Sequence, residues 1–212
     1  LCSNDQALGA GNICPDKWSG GVLGPDGSIY GIPFNSQVVL IIDANNVANT
    51  DLSIQSFGTE KWKGGSLAPN GWILGTPHRK NAGVLLINTN VYPAEASKLG
   101  LQQASDSFSL YSGSALAPNG KVYCAPYKSA DLLIVDPVLT VQHSAATFGA
   151  GQCTSGPMCD TSSVPISTSG SYKWSGVVLA GNGLLYFIPY GATAVLILVP
   201  ATSISDEVTI SG

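Results

Sequence analysis

Short apolar runs alternate with breaks rich in Gly, Pro and Asn, and one succession of them returns four times. Each return opens on an aromatic anchor: Lys17-Trp18, Lys61-Trp62, Leu110-Tyr111 and Lys173-Trp174. A small-residue segment ending in Leu follows, Trp18-Ser-Gly-Gly-Val-Leu23 in the first copy. Next stands a turn signal: Pro25-Asp26-Gly27, Pro69-Asn70-Gly71, Pro118-Asn119-Gly120 or Gly181-Asn182-Gly183. Pro presets φ at the first turn position and Gly accepts a positive φ, so each triplet predicts a tight hairpin. The second strand is Ile29–Ile32 and its equivalents, closed by Pro33, Pro77, Pro126 and Pro189. A third run follows, Val38–Ile42, Val84–Ile87, Leu132–Val135 or Val195–Val199. It does not alternate apolar with polar, which predicts a strand buried on both faces. A weaker fourth strand is expected at Asp51–Phe57, at Leu99–Ala104, at Ser144–Phe148 and at Glu207–Ile210. One stretch, Pro93–Gln103, carries helix-forming Ala94, Glu95, Ala96 and Lys98 and predicts one or two helical turns.

Sheets buried on both faces and repeated at this period predict an all-β fold, a four-bladed β-propeller of four-stranded antiparallel blades. The anchors are 44, 49 and 63 residues apart. A β-sandwich of many short strands is the competing fold, but sandwiches do not repeat one motif in this way. The expected division is a tail at 1–16, blades at approximately 17–58, 59–109, 110–151 and 172–212, and an insertion at 152–171. Within the tail, Ala7–Cys14 is similar to Thr147–Cys153 before the last repeat. Either the tail latches a closed ring of four blades, or the chain is part of a larger assembly.

The repeats resemble a family of extracellular and surface proteins built on units of the form Lys-Trp-x-Gly-Gly-x-Leu-Ala-Pro-Asn-Gly-x-Ile-Tyr-x-Ile-Pro, then Val-Leu-Ile-Ile-Asp. The likeness spans the chain apart from the tail and the insertion, with Tyr111 for Trp in repeat three and Gly181 for Pro in repeat four. It implies propeller blades and a secreted or cell-surface location.

Composition narrows the function classes. Charged residues make up 10% and hydrophobic ones 44% of the 212 residues, which excludes a disordered chain. Nine Lys and Arg, spread along a chain of net charge −4, form no basic stripe for nucleic acid. No apolar run approaches the length of a membrane-spanning helix, so no membrane insertion is expected. Four cysteines stand in Gly/Ser/Pro-rich stretches, and loop cysteines with low charge suggest an oxidising compartment. Bridges are expected at Cys2–Cys14 and Cys153–Cys159, with Cys124, inside an apolar run, a buried free thiol. Their spacings are not those of a zinc site, and His78 and His143 are the only histidines, so neither a metal nor a cofactor is expected. Asp43 and Asp136 end third strands, where a carboxylate ordinarily caps a turn.

Candidate chemistry therefore lies in surface geometry. In an antiparallel pair, the start of strand one and the end of strand two come together opposite the hairpin. One end of the ring should then carry Trp18, Trp62, Tyr111 and Trp174, with Phe34, His78, Tyr127 and Tyr190 beside them and polar Asn35, Arg79 and Lys128 next to those. Aromatic platforms rimmed by polar groups suit a sugar or a protein. A second role for the tryptophans is as wedges between blades. The expected function is a non-catalytic extracellular binding module with a carbohydrate or an extracellular protein on the aromatic face. Two alternatives compete: a building block of an extracellular polymer or sheath that self-associates through terminal strands, and a metal-dependent propeller hydrolase.

Overall fold

The computed structural model describes residues 15–43, 49–54, 58–101, 109–137, 161–166, 170–200 and 210–211. The described residues form four antiparallel four-stranded sheets in chain order. The first holds β1 (Trp18–Leu23), β2 (Ser28–Pro33), β3 (Val38–Asp43) and β4 (Asn49–Ser53). The second holds β5 (Trp62–Leu67), β6 (Trp72–Pro77), β7 (Val84–Asn88) and β8 (Glu95–Leu99). The third holds β9 (Tyr111–Leu116), β10 (Val122–Pro126), β11 (Asp131–Val135) and β12 (Thr161–Pro165). The fourth holds β13 (Trp174–Leu179), β14 (Leu185–Pro189), β15 (Leu196–Leu198) and β16 (Ile210–Ser211). This is the architecture of β-propeller blades.

Local chemistry sets each hairpin. Gly27, Gly71, Gly120 and Gly183 hold φ between +80° and +84°, where a side chain is strained. The turn Asn or Asp accepts from the backbone N–H two residues on, as Asn70 Oδ1 does from Trp72 at 3.1 Å. Register repeats from blade to blade: Tyr30 faces Ile41, Leu74 faces Leu86, Tyr123 faces Ile134 and Tyr186 faces Ile197.

Alternation along these strands sends one set of side chains toward the preceding blade and the other toward the following one. Tyr30, Ile32 and Val39 of blade one pack on Trp62, Ile73 and Leu85 of blade two. Blade two meets blade three through Leu74, Leu86, Val122 and Leu133. Blade three meets blade four through Tyr123, Leu132, Phe187 and Leu196. The innermost strands come close because they are nearly bare. The position a Cβ would take on Gly20 lies 3.4 Å from the Gly64 Cα, on Gly64 3.2 Å from the Gly113 Cα, and on Gly113 3.3 Å from the Gly176 Cα. Strand one packs on strand one at these three junctions, whereas β13 shares no such packing with β1. The sheets form an arc that does not close on itself.

Two elements differ from the sequence reading. The stretch expected to turn as a helix, Pro93–Gln103, contains β8, paired along its length with β7 from Val84↔Leu99 to Asn88↔Glu95. A single helical turn is costly to nucleate, whereas the open edge of β7 offers backbone partners at once. The outer strand of blade three is β12, drawn from the expected insertion at 152–171 and paired from Asp131↔Pro165 to Val135↔Thr161. The strand expected at Ser144–Phe148 and the tail Ala7–Cys14 lie outside the described residues, as do Cys2, Cys14, Cys153, Cys159 and His143. Cys124 is a buried free thiol, and burial pushes its pKa up to about 12.

Candidate functional site

The aromatic anchors and the post-proline rings are held at the same end of each blade by one pairing: Trp18↔Pro33, Trp62↔Pro77, Tyr111↔Pro126 and Trp174↔Pro189. Their fates differ. Trp62, Tyr111 and Trp174 are at most 2% exposed and present no ring to a ligand. This corrects the expectation that they line the binding face. The Trp62 indole N–H donates to the Gly83 carbonyl at 2.8 Å, and that of Trp174 to Ala194 at 3.2 Å. Ser129 Oγ donates to the Tyr111 hydroxyl at 3.1 Å. Each ring thus ties the start of strand one to the entry of strand three while filling the gap to the preceding blade. Trp18 makes the same bond, to Val38 at 3.1 Å, but stays part-exposed, since among the described residues no blade packs on that side of it.

The residues after the prolines form a continuous row across all four blades. Phe34 and His78 have ring centroids 5.5 Å apart, His78 and Tyr127 6.0 Å, and Tyr127 and Tyr190 5.6 Å. These separations and their tilted planes are those of favourable aromatic pairs. His78 is the buried member, with Nδ1 2.7 Å from the Tyr111 carbonyl oxygen. A carbonyl only accepts, so the ring carries its proton on Nδ1 and leaves Nε2 as an acceptor. Burial holds the His78 pKa below the usual imidazole value; the Tyr111 carbonyl and Glu60 oppose this, and Lys63 and Lys128 reinforce it. Burial also raises the Tyr127 phenol, helped by Tyr190 and Tyr172.

Two functional candidates escaped the sequence reading. Tyr172 stacks edge-on against Tyr127 with centroids 5.1 Å apart. Lys63 places its ammonium 5.2 Å from the Tyr127 ring centre, and Lys128 places its own 4.4 Å from that of Tyr172. A signal for Lys63 was present: it fills the position held by Ser19, Ser112 and Ser175 in the other repeats. Tyr172 precedes its anchor, where φ is +61°, as Asp16, Glu60 and Ser109 do in theirs. Asn35 is engaged otherwise than expected. Its Nδ2 donates to the Pro15 carbonyl and its Oδ1 accepts from the Glu60 N–H, both at 2.9 Å, so it joins two blade entries. Arg79 is half-buried and donates through Nη1 to the Thr59 carbonyl at 3.4 Å.

The site is therefore a band of rings with ammonium groups on it. Tyr190 and Tyr172 are exposed, Phe34 and Tyr127 half-buried. Among the described residues no group of three His, Cys, Asp or Glu side chains is placed to hold a metal ion. Lys121 and Asp136 face each other at 3.7 Å, which puts Asp136 in an ion pair at the hairpin end of its blade.

No protein-family model matches the chain, and no curated protein matches it. Solved structures do. Virginiamycin B lyase from Staphylococcus aureus, in a catalytically inactive form with quinupristin, superposes with a TM-score of 0.61 at 14% identity, over 94% of this chain and 57% of the lyase. An auxiliary nutrient binding protein from Bacteroides ovatus gives 0.57 at 18% identity, over 87% of this chain and 39% of that one. PorZ, a bacterial surface component of the type-IX secretion system of Porphyromonas gingivalis, gives 0.54 at 15% identity, over 90% and 27%. The chain thus spans little more than half the length of the lyase it resembles. The likeness establishes the fold class, a β-propeller, and the blades described above are what it superposes.

Proposed function

We propose that this chain is a non-catalytic binding module, secreted or at the cell surface, that takes a carbohydrate on the accessible rings of Phe34, Tyr127 and Tyr190, in the row that buried His78 joins up. The single observation that carries the reading is the continuity of that row across four blades, at centroid spacings of 5.5 to 6.0 Å, with Lys63 over Tyr127 and Lys128 over the adjoining Tyr172. Stacked rings match the apolar faces of successive sugar units, and the ammonium groups match carboxylates on an acidic sugar. A nutrient-binding protein and a surface component among the structural neighbours are compatible with such a role.

Calorimetric titration with a uronic-acid oligosaccharide and with its neutral counterpart tests this. Saturable binding that Tyr190→Ala and Lys63→Ser both weaken is the expected result. Turnover of the oligosaccharide, or binding that neither change affects, overturns it.

A further inference from the structure

Three blade junctions are built from the same parts, and among the described residues a fourth junction is present as two unmet halves. The apolar part is plainest. In blades one to three the outgoing residues Ile32 and Val39, Thr76 and Val84, and Ala125 and Leu132 are all buried. Their equivalents in blade four, Ile188 and Val195, are 46% and 41% exposed, and Val178 beside them is 55% exposed. On the incoming side, Ile73, Val122 and Leu185 are buried to within 1%, while the equivalent Ile29 of blade one is 37% exposed.

The polar parts tell the same story. Each later blade donates the backbone N–H before its anchor to the carbonyl of the preceding post-proline residue: Lys61 to Phe34 at 2.9 Å, Leu110 to His78 at 2.8 Å and Lys173 to Tyr127 at 2.7 Å. The next acceptor in the series is the Tyr190 carbonyl, and the matching donor is the Lys17 N–H; among the described residues neither makes this bond. The lysine side chains behave alike. Lys61 Nζ donates to the Ser36 carbonyl at 2.6 Å and Lys173 Nζ to Ser129 at 2.7 Å, and both lysines are buried. Ala192 stands where Ser36 and Ser129 stand, and Lys17 where Lys61 and Lys173 stand, half-exposed. The inner strands complete the pattern, since a Cβ on Gly176 would meet nothing within 4 Å, where those on Gly20, Gly64 and Gly113 each meet the next blade.

We propose that a second copy of this chain supplies both missing halves, so that two open arcs join head to tail into one eight-bladed ring. The outgoing face of blade four then covers the incoming face of blade one of the second copy, and the reverse contact closes the circle. The argument is continuity with the three internal junctions: the chain carries both halves of the same interface, which makes it complementary to itself. A head-to-tail contact closes into a ring when its rotation allows, and eight blades lie within the known range for propellers. Lys17 of the second copy would reach the Ala192 carbonyl, and the row of rings would run on from Tyr190 to Phe34 of the second copy. This assembly does not depend on any ligand for the aromatic row.

Light-scattering mass after size exclusion tests it on the full chain. The expected mass is twice the chain's 21.8 kDa. Ile188→Lys and Ile29→Glu, each at an exposed position of the single chain, should each give monomer with an unchanged circular dichroism spectrum. Mixing the two variants should restore dimer, because one intact outgoing face then meets one intact incoming face. Lys17→Ala should raise the dissociation constant about tenfold, the loss of one charged hydrogen bond. Monomeric wild-type protein overturns the proposal. So does a dimer that survives either single change, which would use another surface, or a growing series of higher masses, which would mean open filaments.

Discussion

Two sets of aromatic residues sit side by side at one end of every blade and do opposite work. The anchors Trp62, Tyr111 and Trp174 lie between sheets, with their polar atoms bonded to their own blades. The rings one step past the facing prolines, Phe34, Tyr127 and Tyr190, run along the surface in one row, with His78 between the first two. The anchors start strand one, where the preceding blade is close and side chains are clamped. The post-proline residues stand just outside the sheet, where the chain has left the ladder. Position relative to the neighbouring blade, more than residue type, decides whether a ring stabilises the fold or offers a surface.

That contrast can be broken by mutation. The largest effect is expected at the anchor: Trp62→Ala removes a fully buried indole and should cost about 3–5 kcal/mol in urea unfolding. A cost below about 1 kcal/mol would mean the anchors are not the pins described. Next come two lysines two positions apart. Lys61 is buried and donates to the Ser36 carbonyl, so Lys61→Met should cost about 1–3 kcal/mol by leaving that acceptor without its charged donor. Lys63 lies over the Tyr127 ring, and Lys63→Met should stay within about 0.5 kcal/mol of wild type. Equal effects would erase the distinction between junction and surface.

His78 sharpens the contrast because it belongs to the row yet is buried. Its folded pKa is lowered by burial, so the folded state prefers the neutral ring. The stability this contributes is full above the unfolded histidine value near 6.5 and is lost as pH falls from there through the lowered folded value. Melting temperature should drop between pH 7.5 and pH 5 by more in wild type than in His78→Phe, the residue blade one uses at this place. An identical drop in both would show that His78 does not titrate with unfolding. The smallest stability effect is expected at the exposed end of the row. Tyr190→Ala should change stability by less than about 0.5 kcal/mol and weaken sugar binding by about 1–3 kcal/mol. The reverse pattern would make Tyr190 a wedge.

Much of this architecture is written locally. The Pro-Asn-Gly turns, the bare Gly-Gly strands and the apolar third runs specify hairpins and sheets within about thirty residues of chain, and short-range pairing needs little loop closure. The buried thiol of Cys124 followed from its place in an apolar run. The site was legible as a set of positions, since the pairing of Trp with Pro across strands one and two put both at one end. Lys63 and Tyr172 were not found, because what brings them to Tyr127 is the approach of two different blades.

The sequence alone therefore determined the repeat, the hairpins and the end of each blade on which rings gather, because backbone preferences and alternation act within one sheet. Tertiary structure decided what crosses between sheets. It buried Trp62, Tyr111 and Trp174 and left Tyr127 and Tyr190 at the surface, since only the neighbouring blade can exclude water from a ring. It took the outer strand of blade three from residues 161–165, since an edge strand pairs with whichever segment reaches it. It also left the arc open between β13 and β1, because closure depends on the rotation from blade to blade, and no single blade encodes that angle.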